Sequence, residues 1–135
     1  MQKITTFMMF IGQAEQAMNL YMGLFENSQI LDITRFAPGE AGKEGTVMHA
    51  TFTLNGQEFM CIDSSVQHEF TFSPSMSLYV NCESEAEIDQ LFGKLSPGGQ
   101  VLMPLERYPF SEKFAWLNDR FGVSWQLNLA KNSRN

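Results

Sequence analysis

Histidine, cysteine and cationic side chains are all scarce in this chain. Its 135 residues include two His, two Cys and nine Lys and Arg. Cys61 and Cys82 each lie within an apolar, strand-like run, with no CxxC spacing. That excludes a zinc-finger pattern and favours buried free thiols over a disulfide. The cations are scattered and outnumbered by fifteen Asp and Glu, which leaves a net charge of −6. A nucleic-acid partner, normally met by a basic face, is therefore not expected. No apolar run approaches the roughly 20 residues that a bilayer span requires. The opening Met-Gln-Lys-Ile-Thr-Thr also lacks the apolar stretch of a signal peptide. The expectation is a soluble cytoplasmic protein that makes no use of a membrane.

What remains is ordinary globular composition, 44 % hydrophobic and 18 % charged, with twelve Phe that must pack between layers. The length suits a single domain, 1–135. Ile4 to Ile11 reads as a strand. Ala14 to Phe25 reads as an amphipathic helix, with Ala14, Ala17, Met18, Tyr21, Leu24 and Phe25 on one stripe. Gln29 to Ala37 is a second strand. Thr46 to Leu54 alternates, with Val47, His49, Thr51 and Thr53 opposite Met48, Ala50, Phe52 and Leu54. Asn55-Gly56 signals a hairpin into the strand Glu58 to Asp63.

The same order then recurs. Ser75 to Cys82 is a strand, and Ser84-Glu85-Ala86-Glu87 is a capping box. Ile88, Leu91, Phe92 and Leu95 mark a helical face that Pro97-Gly98-Gly99 ends. Short strands follow at Gln100 to Pro104, Lys113 to Leu117 and Val123 to Leu129, with Gly122 in the last turn. The reading is an α+β fold. Two β-α-β-β-β modules, about 1–70 and 71–135, form curved mixed sheets around a cleft, with the helices outside. The loops Pro38 to Glu44, Ser64 to Pro74 and Leu105 to Glu112 are the expected lids or partner-facing segments.

Several stretches resemble PhnB-like proteins. They are Phe7-Met8-Met9-Phe10-Ile11-Gly12-Gln13-Ala14-Glu15-Gln16-Ala17, Gly45-Thr46-Val47-Met48-His49-Ala50, Leu54-Asn55-Gly56-Gln57-Glu58-Phe59-Met60, Ser75-Met76-Ser77-Leu78 and the C-terminal Trp116 to Gln126. That group is similar to the glyoxalase, bleomycin-resistance and extradiol-dioxygenase proteins of the vicinal oxygen chelate superfamily. The resemblance implies paired modules, a ligand cavity inside a U-shaped sheet and a homodimer. Some such proteins carry a methyltransferase label. This chain has no glycine-rich loop after its first strand, and its element order is wrong for a nucleotide-like cofactor. Methyl transfer is thus not expected.

Enzymes of the superfamily hold a divalent metal with His, Glu or Gln from the first and fourth strands of each module. Set on that pattern, the positions fall on Thr6, on Cys61 or Asp63, on Ser75 and on Gln126. Only Gln126 and Asp63 have ligand chemistry, so neither a metal nor any other cofactor is expected. His49 either looks into the cavity as an acid–base group or is a strand histidine with a satisfied or exposed ring. Having no positioned partner, it fits the second reading better. Asp63 could orient His49, bind a ligand cation or cap the loop at Ser64-Ser65, and the cap fits better. Cys61 reads as a small buried hydrophobe. Ser75, Ser77 and Tyr79 fit a wet cavity and a solvated sheet face equally well. Gln126 shares a face with Ser124 and Asn128, pointing into the cleft if Trp125, Leu127 and Leu129 pack under the second helix. Phe114 and Trp116 supply either an aromatic wall or core. Met8, Met9 and Met60 supply a pliable pocket or gap-filling.

The expected ligand-binding set is therefore Thr6, Met8, His49, Cys61, Asp63, Ser75, Ser77, Tyr79 and Gln126. Its occupant is an unidentified small molecule, bound without a metal. Two other functions fit the same residues. One is a lyase- or dioxygenase-type enzyme, metal-dependent or metal-independent, with His49 as its acid–base group. The other is a dimeric interaction protein with a vestigial cavity.

Overall fold

The computed structural model describes residues 2–131. Its elements run β1 (Thr6–Phe10), α1 (Ala14–Met22), β2 (Gln29–Arg35), β3 (Val47–Leu54), β4 (Gln57–Asp63), β5 (Leu78–Cys82), α2 (Glu85–Leu95), β6 (Gln100–Tyr108), β7 (Ser111–Asn118) and β8 (Ser124–Leu129). They form two compact units, Met1–Glu69 and Phe70–Asn135. Each unit holds one four-stranded sheet, ordered β1-β4-β3-β2 in the first and β5-β8-β7-β6 in the second. In each, the first strand pairs parallel with the fourth, and the remaining pairs are antiparallel. This is the α+β arrangement of two β-α-β-β-β modules.

In the first unit the register aligns Met8 with Cys61, and Cys61 with Ala50. Side chains alternate along a strand, so this row lies on one face with Phe10, Phe52 and Phe59. All of them are buried, as are Ala14, Ala17, Met18 and Tyr21 of α1. The rings of Phe52 and Phe59, partners in register, stack at 5.7 Å. The helix ends at Met22, one turn short of the expected Phe25, because Gly23 is its C-cap. Between β3 and β4, Asn55 and Gly56 adopt φ of 53° and 80°, the left-handed pair that a tight hairpin needs.

No side chain next to α1 in sequence caps it. Asp63, forty-nine residues further on, does so instead. Its Oδ1 accepts the Ala14 N–H at 3.0 Å and its Oδ2 the Val47 N–H at 2.9 Å. One buried carboxylate thus fastens the helix start, the start of β3 and the end of β4. This differs from two of the sequence readings of Asp63. It neither orients His49 nor caps the following loop, whose own Ser64 binds Val66 and His68.

In the second unit α2 lays Ile88, Leu91 and Leu95 over Ala115, Leu117, Trp125 and Leu127, all of them buried. The capping box forms with one change. Ser84 Oγ accepts the Glu87 N–H at 3.1 Å, while Glu87 reaches back to the Glu83 N–H at 2.7 Å rather than to that of Ser84. Lys113 on β7 ties α2 down through Asp89 at 2.7 Å and Glu85 at 3.7 Å. Asp119 braces the β7–β8 turn, accepting from the amides of Phe121 and Val123 and from the Trp125 indole.

Two expectations change here. Residues 105–112 are not a loop, because β6 runs on to Tyr108 and turns directly into β7. Pro104 sits inside β6, tolerated because β6 is the edge of its sheet, and its carbonyl accepts the Tyr108 hydroxyl at 2.8 Å. The strand expected from Ser75 begins at Leu78 instead. Ser73 Oγ takes the Ser75 N–H and Ser73 O the Met76 N–H, which curls the chain into a turn.

Asp63→Ala removes two charge-assisted bonds to buried amides and is expected to destabilise the fold by about 3 kcal/mol. Asp63→Asn keeps one acceptor and is expected to cost roughly half of that. Urea unfolding of the three proteins checks both values.

Candidate functional site

The parity that buries one row of each sheet under its helix turns the other row away. In the first unit that outward row is Phe7 and Met9 on β1, Met60 and Ile62 on β4, and His49 and Thr51 on β3. Thr6, Met8, Cys61 and Asp63 have the opposite parity and lie on the α1 side. Met8, Cys61 and Asp63 are buried there. Of the residues expected to bind ligand in the first unit, only His49 looks away from the helix. Its Nδ1 stands 3.9 Å from Asp32 Oδ1, too far for a hydrogen bond, and its ring centroid is 6.3 Å from that of Phe7. The other histidine, His68, has its Nε2 2.9 Å from Ser64 Oγ.

The second unit is different in chemistry. Its outward row is Tyr79 and Asn81 on β5, Ser124, Gln126 and Asn128 on β8, and Phe114, Trp116 and Asn118 on β7, with Ser77 just before β5. Four of these polar groups are joined directly. Ser77 Oγ and Ser124 Oγ are 2.7 Å apart. Trp116 Nε1 donates to Ser124 Oγ at 3.0 Å, and Gln126 Nε2 donates to Ser77 Oγ at 3.2 Å. Beside this cluster, the Ser111 hydroxyl donates to Asn128 Oδ1 at 2.6 Å, and Asn128 Nδ2 donates to Asn81 Oδ1 at 3.3 Å. Tyr79 lies 53 % exposed, with its ring 6.3 Å from that of Phe114.

Of the residues expected to bind ligand in the second unit, Ser77 and Gln126 are hydrogen-bonded to each other and Tyr79 is the register partner of Gln126. Ser75 does not join them, because it belongs to the preceding turn and binds Ser73. Asn81 and Ser111 were missed by sequence reasoning, as was the bonding role of Ser124 and Asn128. A signal for three of these existed. Ser77-x-Tyr79-x-Asn81 and Ser124-x-Gln126-x-Asn128 are polar triplets with a strand's period of two. The parallel register sets Tyr79 beside Gln126 and Asn81 beside Asn128.

A divalent metal does not fit these side chains. The outward positions on the first and fourth strands are Phe7, Met9, Met60 and Ile62 in one unit, and Tyr79, Asn81, Gln126 and Asn128 in the other. None is a histidine or a carboxylate, and Gln126 alone carries a side chain of the kind that the superfamily's metal sites use. Among the described residues no three His, Cys, Asp or Glu gather at one point.

Residues 2–128 match the family model described as 3-demethylubiquinone-9 3-methyltransferase. The chain belongs to this family, the PhnB-like proteins. A PhnB protein from Bacillus cereus is 67 % identical, with a TM-score of 0.94 over 96 % of this chain and 100 % of that one. Escherichia coli YjdN is 24 % identical over 85 residues, which span 63 % of this chain and 57 % of that relative. At the level of fold alone, a glyoxylase/bleomycin resistance protein/dioxygenase domain from Frankia sp. is similar. It aligns with a TM-score of 0.67 at 14 % identity, over 99 % of this chain and 96 % of its own. The PhnB-like chain thus has the fold of the vicinal oxygen chelate superfamily. Among its described residues no helix is long and apolar enough to cross a membrane.

Both thiols are free and buried. Burial, then the charge of Asp63, pushes Cys61 up to about 12. Burial, then Glu87, pushes Cys82 to about 12 as well, against a backbone hydrogen bond with Asn128 that lowers it. A thiol that high holds about a thousandth of the thiolate of an ordinary cysteine at pH 8. Iodoacetamide at pH 8 is therefore expected to label the folded chain about a thousandfold more slowly than the chain in urea, read by mass spectrometry. Labelling at equal rates would place at least one thiol outside the core.

Proposed function

We propose that this PhnB-like protein binds a small organic molecule, without a metal, on the face of the second sheet that turns away from α2. The observation carrying this reading is the joined cluster of Ser77, Ser124, Gln126 and Trp116. A sheet face meant only for solvent needs no such lattice, because water satisfies each group separately. A sheet face meant only for core is apolar, as the α2 side of the same strands is. Hydroxyls and a carboxamide locked to one another beside an open tyrosine ring combine fixed polar groups with a flat apolar surface. That is the mixture by which small-molecule sites orient their ligands.

The family description names a methyl transfer. Drawing a methyl group from a nucleoside-type donor calls for a glycine-rich turn between a strand and a helix of a parallel sheet. Here β1 joins α1 through Ile11-Gly12-Gln13, and the sheet is mixed. These features favour binding over methyl transfer. The superfamily's metal chemistry is disfavoured by the donor set.

A thermal-shift screen of neutral and charged aromatic and heterocyclic compounds tests the reading. A ligand present at about 100 times its Kd adds about 2.7 kcal/mol, a rise in Tm of roughly 8 °C for a chain of this size. Gln126→Ala is expected to abolish that rise while leaving the Tm of the free protein nearly unchanged. Stoichiometric uptake of nickel, manganese, iron or zinc, lost in Gln126→Ala, would instead place a metal at the site.

A further inference from the structure

The protons of the serine–glutamine cluster can be counted, and the count specifies the ligand's chemistry. The Trp116 indole donates to Ser124 and the Gln126 amide to Ser77, so each hydroxyl oxygen already accepts one bond. The two hydroxyls, 2.7 Å apart, share one further bond. Ser124 is 2 % exposed, whereas Ser77 is only partly buried. An unpaired proton is more costly on the buried group, so Ser124 donates to Ser77. Ser77 then has both lone pairs engaged and its own proton free. Gln126 makes no other side-chain hydrogen bond among the described residues, and keeps its carbonyl oxygen and one N–H. The groups left over are donors and an acceptor side by side, none of them ionisable.

A second observation points the same way. Asn118 is the register partner of Ser124, and its Oδ1 is buried without a hydrogen bond among the described residues. A buried acceptor of that kind calls for a donor. The only cation of β7, Lys113, has the other parity and is held by Asp89 and Glu85 of α2. The cluster therefore contains nothing to neutralise an anion.

We propose that the site takes an uncharged ligand with an amide- or lactam-type edge, donor and acceptor adjacent, and a flat body lying against Tyr79. This rests on the binding reading above. A carboxylate or phosphate brings acceptors only and sets them against the Gln126 carbonyl, itself an acceptor. An amidinium or ammonium brings donors only and leaves the Ser77 and Gln126 protons unpaired. Such a mismatch at partly buried groups discriminates by about 10- to 100-fold.

Benzamide, benzoate and benzamidine share one planar body and differ in charge and proton pattern. Each is titrated against the full chain while the Trp116 indole resonance is followed by NMR, assigned with Trp116→Phe. Benzamide is expected to move that resonance and to bind at least about tenfold more tightly than either charged analogue. Gln126→Glu, which makes the edge anionic and rich in acceptors, is expected to transfer the preference to benzamidine. Tighter binding of benzoate or benzamidine to the unaltered chain would overturn the uncharged class and leave the binding reading standing. If none of the three moves Trp116, while the broader screen still yields a Gln126-dependent ligand, the amide edge alone is wrong. Silence in both experiments would remove the binding reading as well.

Discussion

In each unit the parallel pairing of the first strand with the fourth decides almost everything else. A parallel pair needs a crossover between its strands, and the helix supplies the start of it on one side of the sheet. Once the helix is placed, strand periodicity assigns every side chain to the helix side or the other. Met8, Cys61 and Ala50 go inward together in one unit, and Tyr79 and Gln126 go outward together in the other. A shift of one residue would exchange the rows and put the serine–glutamine cluster under α2. The capping carboxylate of Asp63 and the Lys113 ion pairs hold the helices to the sheet positions that this pairing defines.

The two units share a strand order but not a surface chemistry. The outward row of the first is largely methionine, isoleucine and phenylalanine beside His49, while that of the second is serine, asparagine, glutamine and tyrosine. A divalent metal is best held by ionic or imidazole donors. Here one unit offers apolar groups and the other neutral amides and hydroxyls. Recognition by an arrangement of hydrogen bonds is the chemistry these residues are equipped for.

Much of this was legible in the sequence because it depends on local rules. Asn55-Gly56, the Ser84 cap and the alternation of β3 each act within a few residues, and each formed where the pattern placed it. What was not legible depends on distant partners. Asp63 serves an amide forty-nine residues away, which no local pattern announces. Ser75 looked like strand, but its neighbour Ser73 gave the backbone a turn to adopt instead. The end of β6 was misplaced because Pro104 ordinarily breaks a strand, and only its edge position in the sheet makes it acceptable. Thr6 and Cys61 were assigned to a cavity from a superfamily pattern, and strand parity puts them on the helix side instead.

Pro104 has an effect that reaches past its own sheet. An edge strand normally offers a repeating series of free amides and carbonyls on which another chain can build. At this position the nitrogen carries no proton, and the carbonyl is already taken by the Tyr108 hydroxyl. The register of β6 against β7 is also broken at several points. A neighbouring strand laid along β6 would lose its ladder midway and could not grow into a continuous ribbon. Along β6, one ring and one hydroxyl thus interrupt the ladder that an added strand would need.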